Sequence, residues 1–137
     1  MIDHMGFGVK DIAAAKAFYQ QALAPLGMTL QMELTPEMTG GYSGCGFGTP
    51  GRPDFWIADD APHTGLHVAF AVPERAMVDA FHAAALAAGG EDNGPPGTRE
   101  RYHPNYYAAF VRDLDGNNIE AVCHGAGDPS DQRDFAG

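Results

Sequence analysis

The sequence predicts an α+β protein built from two tandem β-α-β-β-β modules, with curved mixed sheets around a shared cavity. The first observation is an internal repeat, because a shift of 63 positions aligns residues 4–27 with residues 67–90 at 10 identities in 24 positions. The second is that each aligned segment passes from strand-like alternation to helical periodicity. The third is Asp115-Gly116, a strong hairpin signal between the last two strand-like segments.

The first module starts with the strand "MIDHMGFGV", in which His4 shares a face with Gly6 and Gly8. Asp11 is the expected N-cap of the helix that follows, and this helix ends near Gly27. Three strands complete the module: "MTLQMEL", the glycine-rich "GYSGCGFG" and "PDFWIAD". Helical spacing predicts a buried face that consists of Ile12, Ala15, Phe18, Ala22 and Leu26.

A linker over residues 58–65 leads to the second module, which opens with the strand "LHVAFAV". Its helix begins at Pro73 or Glu74 and ends near Gly89-Gly90. A loop rich in glycine, proline and charge is expected over residues 91–101, before the strands "NYYAAFVRD" and "GNNIEAVCH". The predicted buried face of the helix consists of Met77, Phe81, Ala84 and Ala88.

The length of 137 residues is typical of a single domain. We assign this domain to residues 1–125, with module one at 1–60 and module two at 64–125. The remaining residues, 126–137, are expected to form a polar C-terminal tail.

Composition and charge exclude several function classes. A formal net charge of −10 would repel a phosphate backbone, so a nucleic-acid partner is not expected. No apolar run is long enough to cross a bilayer, and no export signal precedes the first strand, so we expect a cytoplasmic protein. Cys45 and Cys123 lie far apart outside any CxxC motif and are expected to be free, buried thiols.

Three polar residues stand out on strands that are otherwise apolar or glycine-rich. His4 and His67 occupy the same position in the two aligned segments, and Glu120 lies on the face of the last strand opposite to Cys123. A single histidine on a strand is usually structural, but its repetition together with a carboxylate favours a metal site. Two imidazoles and one carboxylate form a facial triad that binds a divalent transition metal with open positions.

The repeated strands "IDHMGFGV" and "LHVAFAV" and the closing motif "DLDGNNIEAV" resemble the vicinal oxygen chelate superfamily, the glyoxalase, bleomycin-resistance and dioxygenase family. The resemblance runs from Ile2 to His124 and implies that His4, His67 and Glu120 are the metal ligands. It also implies, by analogy with glyoxalase I, that Glu120 acts as a general base. The family's fourth ligand would align with Trp56, which cannot ligate a metal; Asp54 would serve only if the strand shifted by two residues.

The loop "RERYHPNYY" contributes candidate substrate-pocket residues. Aromatic rings and hydroxyl groups there would contact a ligand, whereas the alternative is a surface loop anchored to the sheet by its aromatic residues. Of Tyr106 and Tyr107, at most one faces the cavity, because neighbouring residues of an extended chain point to opposite faces. The predicted pocket consists of Trp56, Tyr102, His103 and Tyr107.

The resemblance implies two possible functions. The length of 137 residues argues against the common extradiol type, because dioxygenases of this superfamily are usually much longer chains. The leading hypothesis is a homodimeric enzyme of the glyoxalase or dioxygenase type that binds Zn, Mn, Ni or Fe. It would act on a small oxygenated substrate by lyase, isomerase or transferase chemistry. The alternative is a non-catalytic small-molecule-binding protein of the bleomycin-resistance type.

Overall fold

Two four-stranded sheets, one from each half of the chain, carry the fold. The computed structural model describes residues 1–125, and the predicted tail at 126–137 lies outside the described residues. The first half contains β1 (Met5–Val9), α1 (Ile12–Leu23), β2 (Thr29–Leu34), α2 (Pro36–Thr39), β3 (Gly44–Thr49) and β4 (Arg52–Asp59). The second half contains β5 (His67–Ala71), α3 (Arg75–Ala87), β6 (Glu91–Thr98), β7 (Tyr107–Arg112) and β8 (Asn118–Cys123).

The strand order confirms the two tandem β-α-β-β-β modules. The first sheet has the order β1-β4-β3-β2 and the second has the order β5-β8-β7-β6. In each sheet the first strand of the module pairs in parallel and the other neighbours pair antiparallel, so both sheets are mixed. Both sheets are open, and within residues 1–125 β1 and β5 are edge strands of separate sheets. No helix in this part of the chain is long and apolar enough to span a membrane.

The two long helices begin and end close to the predicted residues. Asp11 is the N-cap of α1, and its Oδ1 accepts a hydrogen bond from the backbone N–H of Ala14 at 3.1 Å. Gly27 ends the turn after α1 with a φ of 77°, a conformation that favours glycine. Glu74 is the N-cap of α3. Three of the predicted residues belong to the buried face of α1, which consists of Ala15, Phe18, Tyr19, Ala22 and Leu23.

The buried face of α3 is rotated by about one residue from the predicted face. Val78, Phe81 and Ala85 are its buried residues, whereas Met77 and Ala88 pack at the margin of the core. The helix contacts both β7 and α1. The most buried residues of α3 therefore face the space between β7 and α1. The periodicity of the α3 sequence alone does not reveal this orientation.

The loop predicted over residues 91–101 is wrong for its first part, which forms β6. This strand pairs antiparallel with β7 at the edge of the second sheet, and its register shifts between Asp92 and Gly97. Pro95 and Pro96 lie within this irregular stretch, and proline is tolerated on an edge strand because its missing N–H is not needed there. The β-α-β-β-β pattern requires a strand after α3, but apolar alternation is absent from β6, so the sequence did not show where this strand lies.

Both modules contribute to one hydrophobic core. Helix α1 packs against α3, and Phe55 of β4 meets Phe70 of β5 with ring centroids 5.3 Å apart. The predicted free thiols are confirmed, since Cys45 and Cys123 are both buried and unbridged. Because each sheet turns one face to this common core, its other face points away from the core.

The turn between β7 and β8 is organised by the carboxylate of Asp113. Its Oδ1 accepts hydrogen bonds from the backbone N–H groups of Asp115 at 3.0 Å and Asn117 at 2.9 Å. Its Oδ2 accepts from the hydroxyl of Tyr19 on α1 at 2.5 Å and from Asn117 Nδ2 at 3.1 Å. This one side chain therefore fixes the hairpin of module two and joins it to the helix of module one.

Asn117 and Gly116 complete the turn. Gly116 has a φ of 90°, which explains the glycine of the Asp-Gly pair. The side chain of Asn117 reaches the strand beside β8, where its Oδ1 accepts from the backbone N–H of Leu66 at 3.0 Å. The turn thereby positions the start of β5, including His67, as well as β8.

We expect Tyr19→Phe to lower the free energy of unfolding by about 1.5 to 3 kcal/mol, the usual contribution of a hydrogen bond to a charged group. Tyr19 is 1% exposed and Asp113 is 6% exposed, so water has little access to replace the lost donor. Tyr42→Phe is the matched control because Tyr42 is 43% exposed. Urea unfolding of the three proteins measures the difference, and equal losses in the two variants would contradict this role.

The same hydroxyl predicts a loss of stability in alkali. Burial, followed by the charge of Asp113, raises the pKa of Tyr19 well above its ordinary value of 10.0. The folded state therefore holds the phenol proton more tightly than the unfolded state, and this stabilisation is present below pH 10.0 and is lost as the pH rises through the folded-state pKa. We expect the free energy of unfolding to fall more steeply above pH 10.0 in the wild type than in Tyr19→Phe. Parallel pH profiles of the two proteins would contradict a raised pKa of Tyr19.

Candidate functional site

The open face of the second sheet carries a buried carboxylate. Along β8, Ile119, Ala121 and Cys123 point into the core, so Glu120 lies on the opposite face, as the alternation predicts. Glu120 is only 1% exposed although it lies outside the hydrophobic core. A buried carboxylate requires polar partners, because removing it from water without them is costly.

His67 and Tyr106 are the partners of Glu120. Nε2 of His67 lies 2.9 Å from Oε1 of Glu120, and the hydroxyl of Tyr106 donates a hydrogen bond to Oε2. Burial is the main cause that raises the pKa of Tyr106 above 10.0, with the hydrogen bond to Glu120 and its charge next. Tyr106 therefore stays protonated near neutral pH and acts as a donor to the carboxylate.

Two further histidines lie beside Tyr106. His103 Nδ1 accepts from the backbone N–H of Asn105 at 3.1 Å, which leaves Nε2 as the protonated nitrogen of a neutral ring. That nitrogen lies 2.9 Å from Nδ1 of His124, the acceptor that this tautomer requires. The ring of Tyr106 contacts both imidazoles, with centroids 5.4 Å from His103 and 5.3 Å from His124. The two imidazoles therefore pack around the ring of Tyr106, whose hydroxyl contacts Glu120.

The structure places Tyr107 on the helix side of the sheet, opposite to the predicted pocket position. Its hydroxyl donates to Asp79 Oδ1 on α3 at 2.6 Å, and the guanidinium of Arg75 lies 4.9 Å from its ring centroid. The register of the hairpin between β7 and β8 explains why Tyr107 lies on this side of the sheet. A two-residue turn at Asp115-Gly116 would pair position 111 with Glu120, but the longer turn around Asp113 pairs position 110 with it. A shift of one residue exchanges the two faces, so Tyr106 takes the place beside Glu120.

His4 lies on the first sheet's side of the molecule, immediately before β1. Its side chain is 62% exposed, and Nδ1 lies 2.7 Å from Oδ2 of Asp3. His4 lines a pocket of about 370 Å³ together with Tyr42 and Trp56. Trp56, one of the predicted pocket residues, is paired with Gly6 of β1, so the two-residue shift that would substitute Asp54 does not occur.

The three predicted metal ligands are not gathered within the described part of the chain. His67 and Glu120 are in contact, whereas His4 is bonded to Asp3 beside the other sheet. Residues 1–125 contain no group of three His, Cys, Asp or Glu side chains that is arranged to hold a metal ion. The assignment of His4, His67 and Glu120 as ligands therefore stays a prediction. Of the three, only His67 and Glu120 are in contact within one chain.

The remaining predicted pocket residues, Tyr102 and His103, lie around Tyr106. The rings of Tyr102 and Tyr106 have centroids 4.8 Å apart, and Tyr102 is 56% exposed. Sequence reasoning assigned no site role to Tyr106 or His124. His124 shares the parity of Glu120 in the same sequence segment, so alternation places both on one face. Tyr106 shares that face only in the observed hairpin register, which becomes known only once the turn length is known.

The chain has the architecture of a class of small α+β proteins. These proteins contain two β-α-β-β-β modules, and here a histidine and a carboxylate lie on the open face of one sheet. The profile of the Glyoxalase/Bleomycin resistance protein/Dioxygenase superfamily matches residues 1–121, and the chain belongs to this superfamily. Its members typically bind a divalent metal and are often dimeric. No match to a curated protein was found.

Solved structures of the superfamily share the fold. A glyoxalase/bleomycin resistance protein from Albidiferax ferrireducens is 31% identical, with a TM-score of 0.70 over 88% of this chain and 96% of the other. A glyoxylase/bleomycin resistance protein/dioxygenase domain from Frankia sp. is 18% identical, with a TM-score of 0.67 over 90% of this chain and 96% of the other. A glyoxalase I mutant from Zea mays is 21% identical, with a TM-score of 0.66 over 88% of this chain and 46% of the other. The last two are similar in fold alone.

We expect Tyr106→Phe to lower the free energy of unfolding by about 1 to 3 kcal/mol, because it leaves Oε2 of a buried carboxylate without its donor. Tyr102→Phe is the matched control, since the neighbouring Tyr102 is 56% exposed. Urea unfolding in the presence of a chelator measures both changes. If Tyr106→Phe is no less stable than Tyr102→Phe, the hydrogen bond does not support Glu120.

Proposed function

We propose that this protein is a metal-dependent enzyme that holds a small oxygenated substrate at a divalent metal ion and performs lyase, isomerase or transferase chemistry. The observation that carries the proposal is the contact between Nε2 of His67 and the buried Oε1 of Glu120, at 2.9 Å on an open sheet face. Superfamily membership supports it, since a divalent metal is typical of these proteins.

The residues present fit a transition metal. Imidazole nitrogen and carboxylate oxygen are ligands that suit Zn, Mn, Ni or Fe. The side chain of His67 is 55% exposed and that of Glu120 is 1% exposed, so the pair is open to solvent on one side and enclosed by protein on the other. Tyr106 donates to Oε2 and leaves Oε1 directed at His67, the kind of outer hydrogen bond that orients a ligating carboxylate.

We infer that the third ligand comes from a second copy, as the partner subunit's His4. Within one chain, His4 is 62% exposed and lies on the other sheet. In each module one face of the sheet packs against the common core, and β1 and β5 are both edge strands within residues 1–125. A two-fold homodimer would let the first module of each copy face the second module of the other, which completes two equivalent sites.

The bound ion would polarise a substrate oxygen or lower the pKa of a bound water. His67 and Glu120 would bind the metal ion. Tyr106 would hold the carboxylate of Glu120 in its orientation. Glu120 is also the candidate general base, since its carboxylate can accept a proton from a substrate held beside it. The two free, buried cysteines support a reducing compartment, and we propose the cytoplasm.

A second candidate function is non-catalytic binding of a small molecule. The pocket of about 370 Å³ beside His4, Tyr42 and Trp56 favours it, because its volume lies in the range of small-molecule sites. Binding that is unaffected by a chelator, with no turnover of hemithioacetals, epoxides or catechols, would support this function over the enzyme.

We expect the purified protein to bind one of Zn, Mn, Ni or Fe and His67→Ala to bind that ion at least about 100-fold more weakly, because loss of a residue that only orients a ligand already costs about 10- to 100-fold. His82→Ala is the matched control, because His82 lies on α3 and its Nε2 bonds Asp92 at 3.0 Å. Elemental analysis and calorimetric titration measure the effect. Absence of metal from all three proteins, with no binding when these ions are added, would contradict the proposal.

A further inference from the structure

Trp56 has a glycine as its cross-strand neighbour on both sides. Gly6 of β1 and Gly46 of β3 are its register partners. A Cβ atom on Gly46 would lie 2.8 Å from Cη2 and Cζ3 of the indole, and one on Gly6 would lie 3.2 Å from Cβ of Trp56. The six-membered ring therefore lies against the backbone of β3, in space that a side chain at position 46 would occupy.

The two strands beside Trp56 carry no side chain larger than hydrogen on the face of the sheet that faces away from the core. In β1 and β3 the residues that alternate with the buried core positions are all glycines, a group we call the glycine floor: Gly6, Gly8, Gly44, Gly46 and Gly48. The strand between them, β4, places the indole of Trp56 on this floor. Curvature alone does not require glycine at position 46, whereas the close approach of the indole does.

Two pockets meet at Trp56. One has a volume of about 370 Å³ and extends toward His4, and the other has a volume of about 600 Å³ and extends toward Asp60 and His63. Tyr42 also lines both. An aromatic ring that lies against the backbone of β3 and borders two open spaces can offer its remaining surface to a ligand, and a planar ligand gains most from such a surface because rings prefer offset stacking or edge contacts.

The charge around these pockets selects against anions. Asp59 and Asp60 line the larger pocket, and the residues of the described chain that line either pocket include no lysine or arginine. The whole protein also carries a formal charge of −10. In the metal-free protein, a phosphate, phosphonate or carboxylate group would therefore meet an unfavourable potential here, whereas a neutral or cationic group would not.

The geometry points to Trp56 as a stacking platform for a planar, conjugated, uncharged or cationic part of the ligand. This inference deepens the proposed function and rests on it, because the ligand is the substrate only if the protein is the proposed enzyme. Stacking on the indole itself requires no metal ion, so the two proposals fail separately.

Trp56 is the single tryptophan of the chain, so indole fluorescence reports on this position alone. The full-length protein is titrated, after chelator treatment and again after loading with Zn, with catechol and with trans-cyclohexane-1,2-diol. Both probes carry vicinal oxygens on a six-carbon ring, but only catechol is planar and conjugated. We expect saturable quenching by catechol in both states and none by the diol, and in the chelator-treated protein we expect 3,4-dihydroxybenzoate, the anionic analogue, to bind more weakly than catechol.

Two variants separate stacking from general pocket shape, with affinity measured by calorimetry. Trp56→Leu removes the ring and is expected to weaken catechol binding about 3- to 10-fold, in line with the contribution of an aromatic pair. Gly46→Val keeps the tryptophan but displaces its ring, and it is expected to weaken binding to a similar degree. Trp56→Phe keeps an aromatic face and should lose less than Trp56→Leu. Circular dichroism confirms that each variant is folded.

The outcomes discriminate between the two proposals. Catechol quenching without any metal binding would overturn the metal proposal and support the platform. Metal binding with equal responses to catechol and the diol, or an unchanged catechol affinity in a folded Trp56→Leu protein, would overturn the platform. If Gly46→Val does not fold, the comparison of Trp56→Leu with Trp56→Phe decides the question.

Discussion

The four hydrogen bonds of the Asp113 carboxylate are the interaction on which the candidate site depends. They set the length of the turn between β7 and β8, and that length sets the register that pairs Phe110 with Glu120. The register in turn brings Tyr106 to the carboxylate. Through Tyr19 the same side chain connects the two modules. A substitution remote from the site can therefore weaken it by loosening this turn.

The shared core explains why the proposed metal site would be divided between two copies. Each module uses one sheet face to build the core and leaves the other face open, with His67 and Glu120 on one sheet and Trp56 on the other. The half-site on the second sheet is pre-formed, because Glu120 is already buried and hydrogen-bonded. The other half offers an exposed imidazole, His4, beside an aromatic pocket. In the proposed two-fold homodimer, each copy would supply one half to each of two sites.

The sequence predicted the modules well because the repeat and its alternation are local signals that both halves carry. Asp11 as a cap and the opposite faces of Glu120 and Cys123 followed from the same local rules. The strand β6 was expected from the β-α-β-β-β repeat but was not located, because an irregular edge strand with two prolines has no apolar alternation. Tyr107 was preferred to Tyr106 because residue parity depends on a turn length that Asp113 sets through its side chain. The repeat also gives no information on how two modules are oriented, so it could not show that His4 stays apart from His67.

The most direct test of the divided site is the metal content of mixed dimers, prepared by co-expressing His4→Ala and Glu120→Gln chains with different affinity tags. If each site combines the first module of one copy with the second module of the other, each mixed dimer contains one intact site and one site that lacks both ligands. The account predicts that mixed dimers regain half of the tightly bound metal of the wild type, while both parent variants lose it. Mixed dimers with no more metal than the parents would contradict it.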